Sequence, residues 1–382
     1  MGRRGPPEPE AGAQDMSRGQ RALLAILTSA GSVLVGLFLF HLGRALGAVA
    51  VFPLAHLLWA LAAAVLLVQT CGVWYLYWNW AASLPGPAPR GLSVDVYITV
   101  YNEDLQLVER ALRAARSLEY PHRTYLLDDG RDGSRRELAE SLGAAYLTRP
   151  DNTHHKAGNI NAALQRTSGD FIAIFDVDHA PVPAFLDRTL GPFADARIGF
   201  VQSAQTFFNA EENLVARAAA EATYEYFNIA AVCKDRLGAA CLHGTNAVVR
   251  RRALESIGGY LPGLAEDLET SIALHAEGWG SRYVREPLGP GMVPLTLHAY
   301  WIQQLKWSRG VFEAACNALR TGRFLRLSWG QRLAYLVRLS YYTVGLTVPL
   351  AGSTVVCAAL SGPHRELEHL VACMLLLSAV MV

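Results

Sequence analysis

The run Phe171-Ile172-Ala173-Ile174-Phe175-Asp176-Val177-Asp178-His179 decides the fold. Its first five residues are apolar, mostly aromatic or β-branched, which suits a strand buried on both faces and is too short for a helix. Two carboxylates one residue apart follow at once. In a doubly wound sheet, ligands collect beyond the carboxyl ends of the strands, so acids placed there face a site. The arrangement recurs upstream, where Arg123 to Leu127 runs into Asp128-Asp129-Gly130. Around these two ends, strand-like runs alternate with helical ones: Val94 to Val100, Leu105 to Leu118, Arg123 to Leu127, Arg135 to Leu142, Phe171 to Phe175. That is the βαβ rhythm of an α/β domain with a mostly parallel sheet, expected over residues 90–320.

Outside this domain the chain is apolar. Of 382 residues, 52% are hydrophobic and 18% charged, too apolar for a soluble enzyme of this size, so a membrane part is expected. The net charge of +1 supplies no field for a nucleic acid partner, and none is expected; phosphate binding must be local. Cys71, Cys233, Cys241, Cys316, Cys357 and Cys373 lack the short paired spacing of zinc or redox motifs and read as free thiols.

Residues 1–20, rich in Gly, Pro, Glu and Arg, read as a flexible cytoplasmic tail. Residues 21–82 are expected to hold two transmembrane helices: Ala22 to Leu42 carries no charge, and a second span near 48–72 leads into Trp74, Tyr75, Tyr77, Trp78 and Trp80, as at a membrane interface. Arg3, Arg4, Arg18 and Arg21 against Arg44 alone in the connection place the tail inside, and two crossings return residue 90 to the cytoplasm. Pro85, Pro87 and Pro89 mark a linker. Residues 321–337, with Arg323, Arg326 and Arg332 among Phe324, Leu325, Leu327, Trp329, Leu333 and Leu336, predict an amphipathic interface helix, a core helix being the alternative. Residues 338–382 read as a transmembrane region: Leu339 to Leu360 is a third span, and Leu370 to Val382 is too short to cross unaided, so the region is expected to be truncated within a fourth.

The candidate chemistry sits between these apolar parts. Asp176 and Asp178 offer oxygen ligands for a divalent cation, Mg2+ or Mn2+, that would neutralise a departing diphosphate; a solvated turn is the alternative. His179 reads as a hydrogen-bonding neighbour of that site. Asp129, in a turn with Gly130, can accept hydrogen bonds from a base or ribose, or simply shape the turn. Lys156 can reach phosphate as a point charge while Gly158 lets the backbone approach. Asp267, after Glu266, can be a general base or a cap on the helix from Leu268 to His275. Trp307 offers a face for a sugar ring and Lys306 a charge for the diphosphate.

In order, these segments resemble the cellulose synthase-like branch of the family 2 glycosyltransferases, inverting enzymes with a GT-A fold. The likeness covers roughly residues 93–320: Thr99-Val100-Tyr101-Asn102-Glu103, Asp128-Asp129-Gly130, Lys156-Ala157-Gly158-Asn159, Asp176-Val177-Asp178-His179, Val201-Gln202 with Phe207-Phe208-Asn209, Gly244-Thr245-Asn246, Glu266-Asp267 and Gln303 to Trp307. It implies nucleotide contacts from Thr99, Tyr101, Glu103, Asp129, Lys156 and Asp176, and metal and diphosphate at Asp176 and Asp178. It further implies Asp267 as base, Gln303 and Trp307 at the acceptor, and Lys306 near the diphosphate. Three positions depart from the family's pattern: Ala265 for Thr, His243 for Cys, and Lys306 for Arg, the last losing a bidentate contact to phosphate. The helices, gating loop and cyclic di-GMP domain of cellulose exporters are not seen before Val382.

The expectation is thus a metal-dependent glycosyltransferase of the inner (plasma) membrane, multi-pass, with its catalytic domain cytoplasmic. It would pass a sugar from a UDP-sugar, foremost glucose from UDP-glucose, to a β-glucan, with the bilayer and other export subunits as partners. Two alternatives stay open: a synthase of glycolipid, curdlan or mannan, and a silent membrane scaffold that binds nucleotide sugar.

Overall fold

The computed structural model describes residues 14–48, 53–82, 86–343 and 345. The expected tail up to residue 13, Pro85, and nearly all of the 338–382 region, including the third and fourth spans with Cys357 and Cys373, lie outside the described residues.

Two compact units divide the chain. The larger, Ala81–Arg332, is built on seven strands: β1 (Val94–Val100), β2 (Arg123–Asp128), β3 (Ala145–Leu147), β4 (Phe171–Asp176), β5 (Ile198–Phe207), β6 (Ala247–Arg250) and β7 (Gly280–Gly291). Their order across the sheet is β3-β2-β1-β4-β6-β5-β7. Strands β1 to β4 pair parallel, with Thr99 beside Asp176 and Val100 beside Asp128 in register. The expected parallel sheet holds on that side. It changes at β6, which runs antiparallel to both β4 and β5, while β5 and β7 are again parallel.

The two-residue period of a strand sorts the core into two layers. Val94, Val96, Ile98, Val100, Phe171, Ala173 and Phe175 belong to one buried cluster; Tyr97, Ile172, Ile174, Ala247 and Val249 belong to the other. Because β1 and β4 are covered on both faces, their polar residues have nowhere to go except the ends. Asp95 lies at the amino end of β1 with Arg251 3.3 Å away, and Thr99 and Asp176 lie at the carboxyl ends.

The smaller unit, Asp15–Trp80 with the chain from Leu333 onward, holds helices Arg18–Ala48 and Pro53–Trp78. Among the described residues one stretch, Arg18–His41, is long and apolar enough to cross a membrane, and Ala63–Trp78 is a shorter apolar helix. Small residues set its packing: a β-carbon at Gly31 would sit 2.4 Å from the Trp74 ring, and one at Gly72 would sit 2.3 Å from Val337. Gln69, polar in an apolar helix, donates to Val337 O at 2.7 Å and Ser340 Oγ at 2.6 Å.

The single helix expected over 321–337 is two, Arg323–Arg326 and Trp329–Ser340. Ser328 breaks it by capping the second piece, its Oγ accepting from Gln331 N while Gln331 Oε1 accepts from Ser328 N. Leu327, between them, turns extended and is buried.

Candidate active site

The carboxyl ends of β1 and β4 meet four loops here. Thr99 Oγ1 donates to Asp176 Oδ1 at 3.0 Å, and the Asp176 amide donates to Thr245 Oγ1 at 3.0 Å. Lys156, in the first turn of helix His155–Leu164, donates to the same Asp176 Oδ1 and to Gly244 O at 2.8 Å. Gly244 has φ +79°, and a β-carbon there would lie 3.3 Å from Lys156 Nζ and 3.9 Å from Asp267 Oδ2. Residues from four parts of the sequence, Asp176, Lys156, Gly244 and Asp267, therefore face one another across a few ångströms.

The proximity sets the charges. Burial disfavours the Lys156 ammonium, but the carboxylates of Asp176, Glu266 and Asp267 outweigh it and hold its pKa above the usual lysine value. Burial likewise disfavours the Asp176 carboxylate, and Lys156 reverses the balance, leaving its pKa low. Glu266 has no such partner: burial and the neighbouring Asp267 charge push it up to about 7 against the pull of Lys156. The buried Tyr260 phenol is raised by burial first, then by Asp267, Glu266 and Asp176, which places it in the same acidic field.

A stability prediction follows from Glu266. Its folded pKa of about 7 exceeds the unfolded value of 4.5, so between those pH values the folded state binds more protons and stability falls as pH rises. Replacing Glu266 by Gln removes that term, so E266Q should melt higher than wild type at pH 8 and no higher at pH 5 in metal-free thermal melts. An equal difference at both pH values would show that Glu266 titrates normally.

Asp176 and Asp178 fit a hard divalent cation. Among the described residues hydrogen bonding occupies only Oδ1 of each, leaving Oδ2 without a partner, and both side chains keep partial solvent exposure. Among the described residues no group of three His, Cys, Asp or Glu converges, so water and phosphate would complete the coordination. His179 Nδ1 sits 2.9 Å from Asp178 Oδ1, matching the neighbouring role expected of it. Its ring lies over Gly291, where a β-carbon would be 2.3 Å from Nε2, so only glycine fits there.

The two acids of Asp128-Asp129 separate into different tasks. Asp128 is fully buried and organises the turn, accepting from the amides of Gly130 at 2.7 Å and Asp132 at 3.0 Å and from Tyr146 Oη at 2.9 Å. Buried Arg135 reaches Asp128 Oδ1 at 3.3 Å and also donates to Tyr101 O at 2.7 Å and Glu103 O at 2.8 Å. Glu103 in turn accepts from the amides of Tyr101 and Asn102, leaving the Tyr101 ring exposed. Asp129 is held by Arg149 through both oxygens at 2.7 Å. Gly158, expected to admit phosphate, instead makes room for Thr153 O and Arg149 Nη1, which a β-carbon would meet at 2.1 and 2.3 Å.

The acceptor residues ride on helix Leu297–Arg320. This helix packs on helix Glu266–Ala276 through Asn317 Nδ2, which donates to Glu269 Oε1 at 3.0 Å, and through Gly310, whose β-carbon would lie 3.0 Å from Ala265. Gln303, Lys306 and Trp307 stand one and two turns before Gly310 on that face. Gln303 is half-buried, Lys306 and Trp307 exposed. Asp267 lies inside the first turn of its helix, not before it; Ala265 is the capping residue and offers no side-chain bond. Asp267 Oδ1 accepts from the Leu268 amide at 2.7 Å and so serves the first turn, while Oδ2 is the oxygen that faces Gly244.

Arg135, Arg149, Thr245 and Tyr260 were not anticipated as site residues. For Arg149 a signal existed, since it stands two residues past β3, at a strand end like the acids.

Residues 95–258 match Glycosyl transferase family 2. The cellulose synthase catalytic subunit [UDP-forming] of Xanthomonas axonopodis pv. citri is 36% identical over 276 residues, 69% of this chain and 37% of that protein. Cellulose synthase 1 of Komagataeibacter xylinus is 33% identical over 297 residues, 72% of this chain and 19% of that protein. The chain thus spans well under half the length of these relatives. Among solved structures, a mannosyltransferase of Pyrobaculum calidifontis in complex with GDP-Man and Mn2+ superposes with TM-score 0.62 at 18% identity, covering 90% of this chain and 92% of that one, a likeness of fold. The sheet order, the strand-end acids and these matches agree: residues 95–258 form a family 2 glycosyltransferase domain with a GT-A fold, in a chain that is similar to bacterial cellulose synthase catalytic subunits.

Proposed function

We propose that the protein is a membrane-embedded inverting glycosyltransferase that moves glucose from UDP-glucose to a growing β-glucan. The observation that carries this reading is the meeting of Asp176, Lys156 and Asp267 at Gly244. Asp129 and the exposed Tyr101 would receive the uridine, and Lys156 the diphosphate. A divalent cation held by Asp176 and Asp178 would neutralise the charge that develops on the diphosphate. Asp267 takes the proton from the acceptor hydroxyl as its oxygen bonds to the anomeric carbon. The bond from that carbon to the diphosphate breaks, and UDP leaves with the electron pair. Gln303 and Trp307 would hold the acceptor ring, and Lys306 would approach the departing phosphate from the same helix face. The apolar stretch Arg18–His41 supports membrane anchorage, and the reading takes the membrane to be the inner one, the sheet domain to be cytoplasmic and other export subunits to be partners.

The product decides the reading. Membranes containing the protein, given radiolabelled UDP-glucose, should form polymer that a β-1,4-glucanase digests. Label recovered only in lipid would favour the glycolipid reading, glucose polymer that resists this enzyme the curdlan reading, and incorporation from a mannose nucleotide instead of UDP-glucose the mannan reading.

A further inference from the structure

We propose that Arg149 is a positioning residue that fixes the uridine-facing acid and the diphosphate-facing lysine relative to one another; this rests on the function proposed above. Arg149 is 9% exposed, and its guanidinium donates four hydrogen bonds. Nε and Nη2 each donate to one oxygen of Asp129 at 2.7 Å. Nη1 donates to Thr153 O at 2.6 Å, and Nη2 donates also to His155 O at 2.8 Å. One rigid fork thus ties the end of β2 to the loop that delivers Lys156.

That loop needs holding. His154 and His155 are consecutive non-glycine residues in the left-handed region, with φ 61° and 47°, and His154 gives the helix that follows no side-chain cap. Such backbone persists only where its surroundings over-determine it. Arg149 supplies the restraint, and Gly158 leaves the space for it, since any side chain there would strike both Arg149 Nη1 and Thr153 O. Lysine cannot replace this fork, because one ammonium cannot bond both Asp129 oxygens and two diverging carbonyls at once. Removing Arg149 frees the Asp129 carboxylate to swing and relaxes residues 153–155, so both ends of the nucleotide lose their register while Asp267 and helix Leu297–Arg320 stay in place.

The test uses the full chain in detergent with UDP and Mn2+ as the probe. Arg149→Ala should weaken UDP binding by about 10- to 100-fold, the worth of one or two charged hydrogen bonds. KM for UDP-glucose should rise in parallel, and kcat should fall to the extent that Lys156 loses its hold on the diphosphate. Millimolar guanidinium chloride should restore part of the affinity. A purely structural role would lower the melting temperature and the active fraction without moving KM or the UDP affinity of the folded protein. Unchanged UDP affinity and KM in folded Arg149→Ala would overturn the inference. If that variant does not fold, Arg149→Lys carries the same comparison, with weakened UDP binding expected and wild-type binding contrary. Wild-type protein that fails to bind UDP at all would overturn the proposed function itself, whereas equal binding by wild type and variant removes only the role of Arg149.

Discussion

Asp267→Asn should bind UDP as wild type does and transfer sugar about 10²- to 10⁴-fold more slowly, the usual worth of a general base. The substitution is nearly isosteric and keeps the oxygen that accepts from the Leu268 amide at 2.7 Å, so the helix start survives. What it removes is the capacity to take a proton, together with one charge facing Lys156. The measurement is a pair: UDP affinity by calorimetry and sugar transfer by product formation. Retained turnover would remove Asp267 from the mechanism, and lost UDP affinity would show that it holds the nucleotide instead.

Asp176→Asn attacks the other half of the site. Asp176 binds Thr99, Lys156 and the Thr245 hydroxyl, and its free Oδ2 is one of the two oxygens available to a cation. Neutralising it leaves the Lys156 ammonium without its nearest partner and removes half of the cation's protein ligands. Metal stabilisation of a leaving group is worth several kcal/mol, so turnover should fall by at least about 10²-fold. The stimulation of UDP binding by Mn2+ should vanish as well. A variant that keeps wild-type Mn2+ dependence would place the cation elsewhere.

How much of this was legible depended on where each residue's partners lie in the sequence. Strand β4 could be read because burial on both faces leaves an unbroken apolar run, whereas β1, with Asp95 and Thr99, and β2, buried only from Leu126 onward, were read from their alternation with helical runs; the acids after β2 and β4 mark the carboxyl ends of the sheet. The rest of the sheet was harder. Strand β6 is four residues long, and β7 carries Pro287, Pro290 and three glycines, which suit only an edge position; β7 is indeed the edge, paired to β5 with register shifts. The antiparallel turn of β6 has no local signature.

Among the site residues, Asp176, Lys156 and Asp267 were nameable because their order in the chain matched a family. Their mutual distances were not, since segments spread over 111 positions, from Lys156 to Asp267, close on Gly244. Arg135 and Arg149 escaped notice for a related reason. An arginine on a helix or after a strand reads as solvated surface until the carbonyls and carboxylates it cross-ties are brought to it by the fold. Ser328, by contrast, carried its signal in plain view: Ser-x-x-Gln over 328–331 is a capping box, and it breaks the amphipathic stretch that hydropathy alone reads as continuous.

The central claim is that the acids at these strand ends and Asp267 form one cation-assisted site for a nucleotide sugar. Release of UDP from UDP-glucose by membranes containing the protein tests it most directly, assayed with Mg2+ or Mn2+, then with chelator, then with the cation restored. The account predicts release that stops on chelation and returns with the metal. Release indifferent to chelator, or none from any nucleotide sugar supplied, would contradict it.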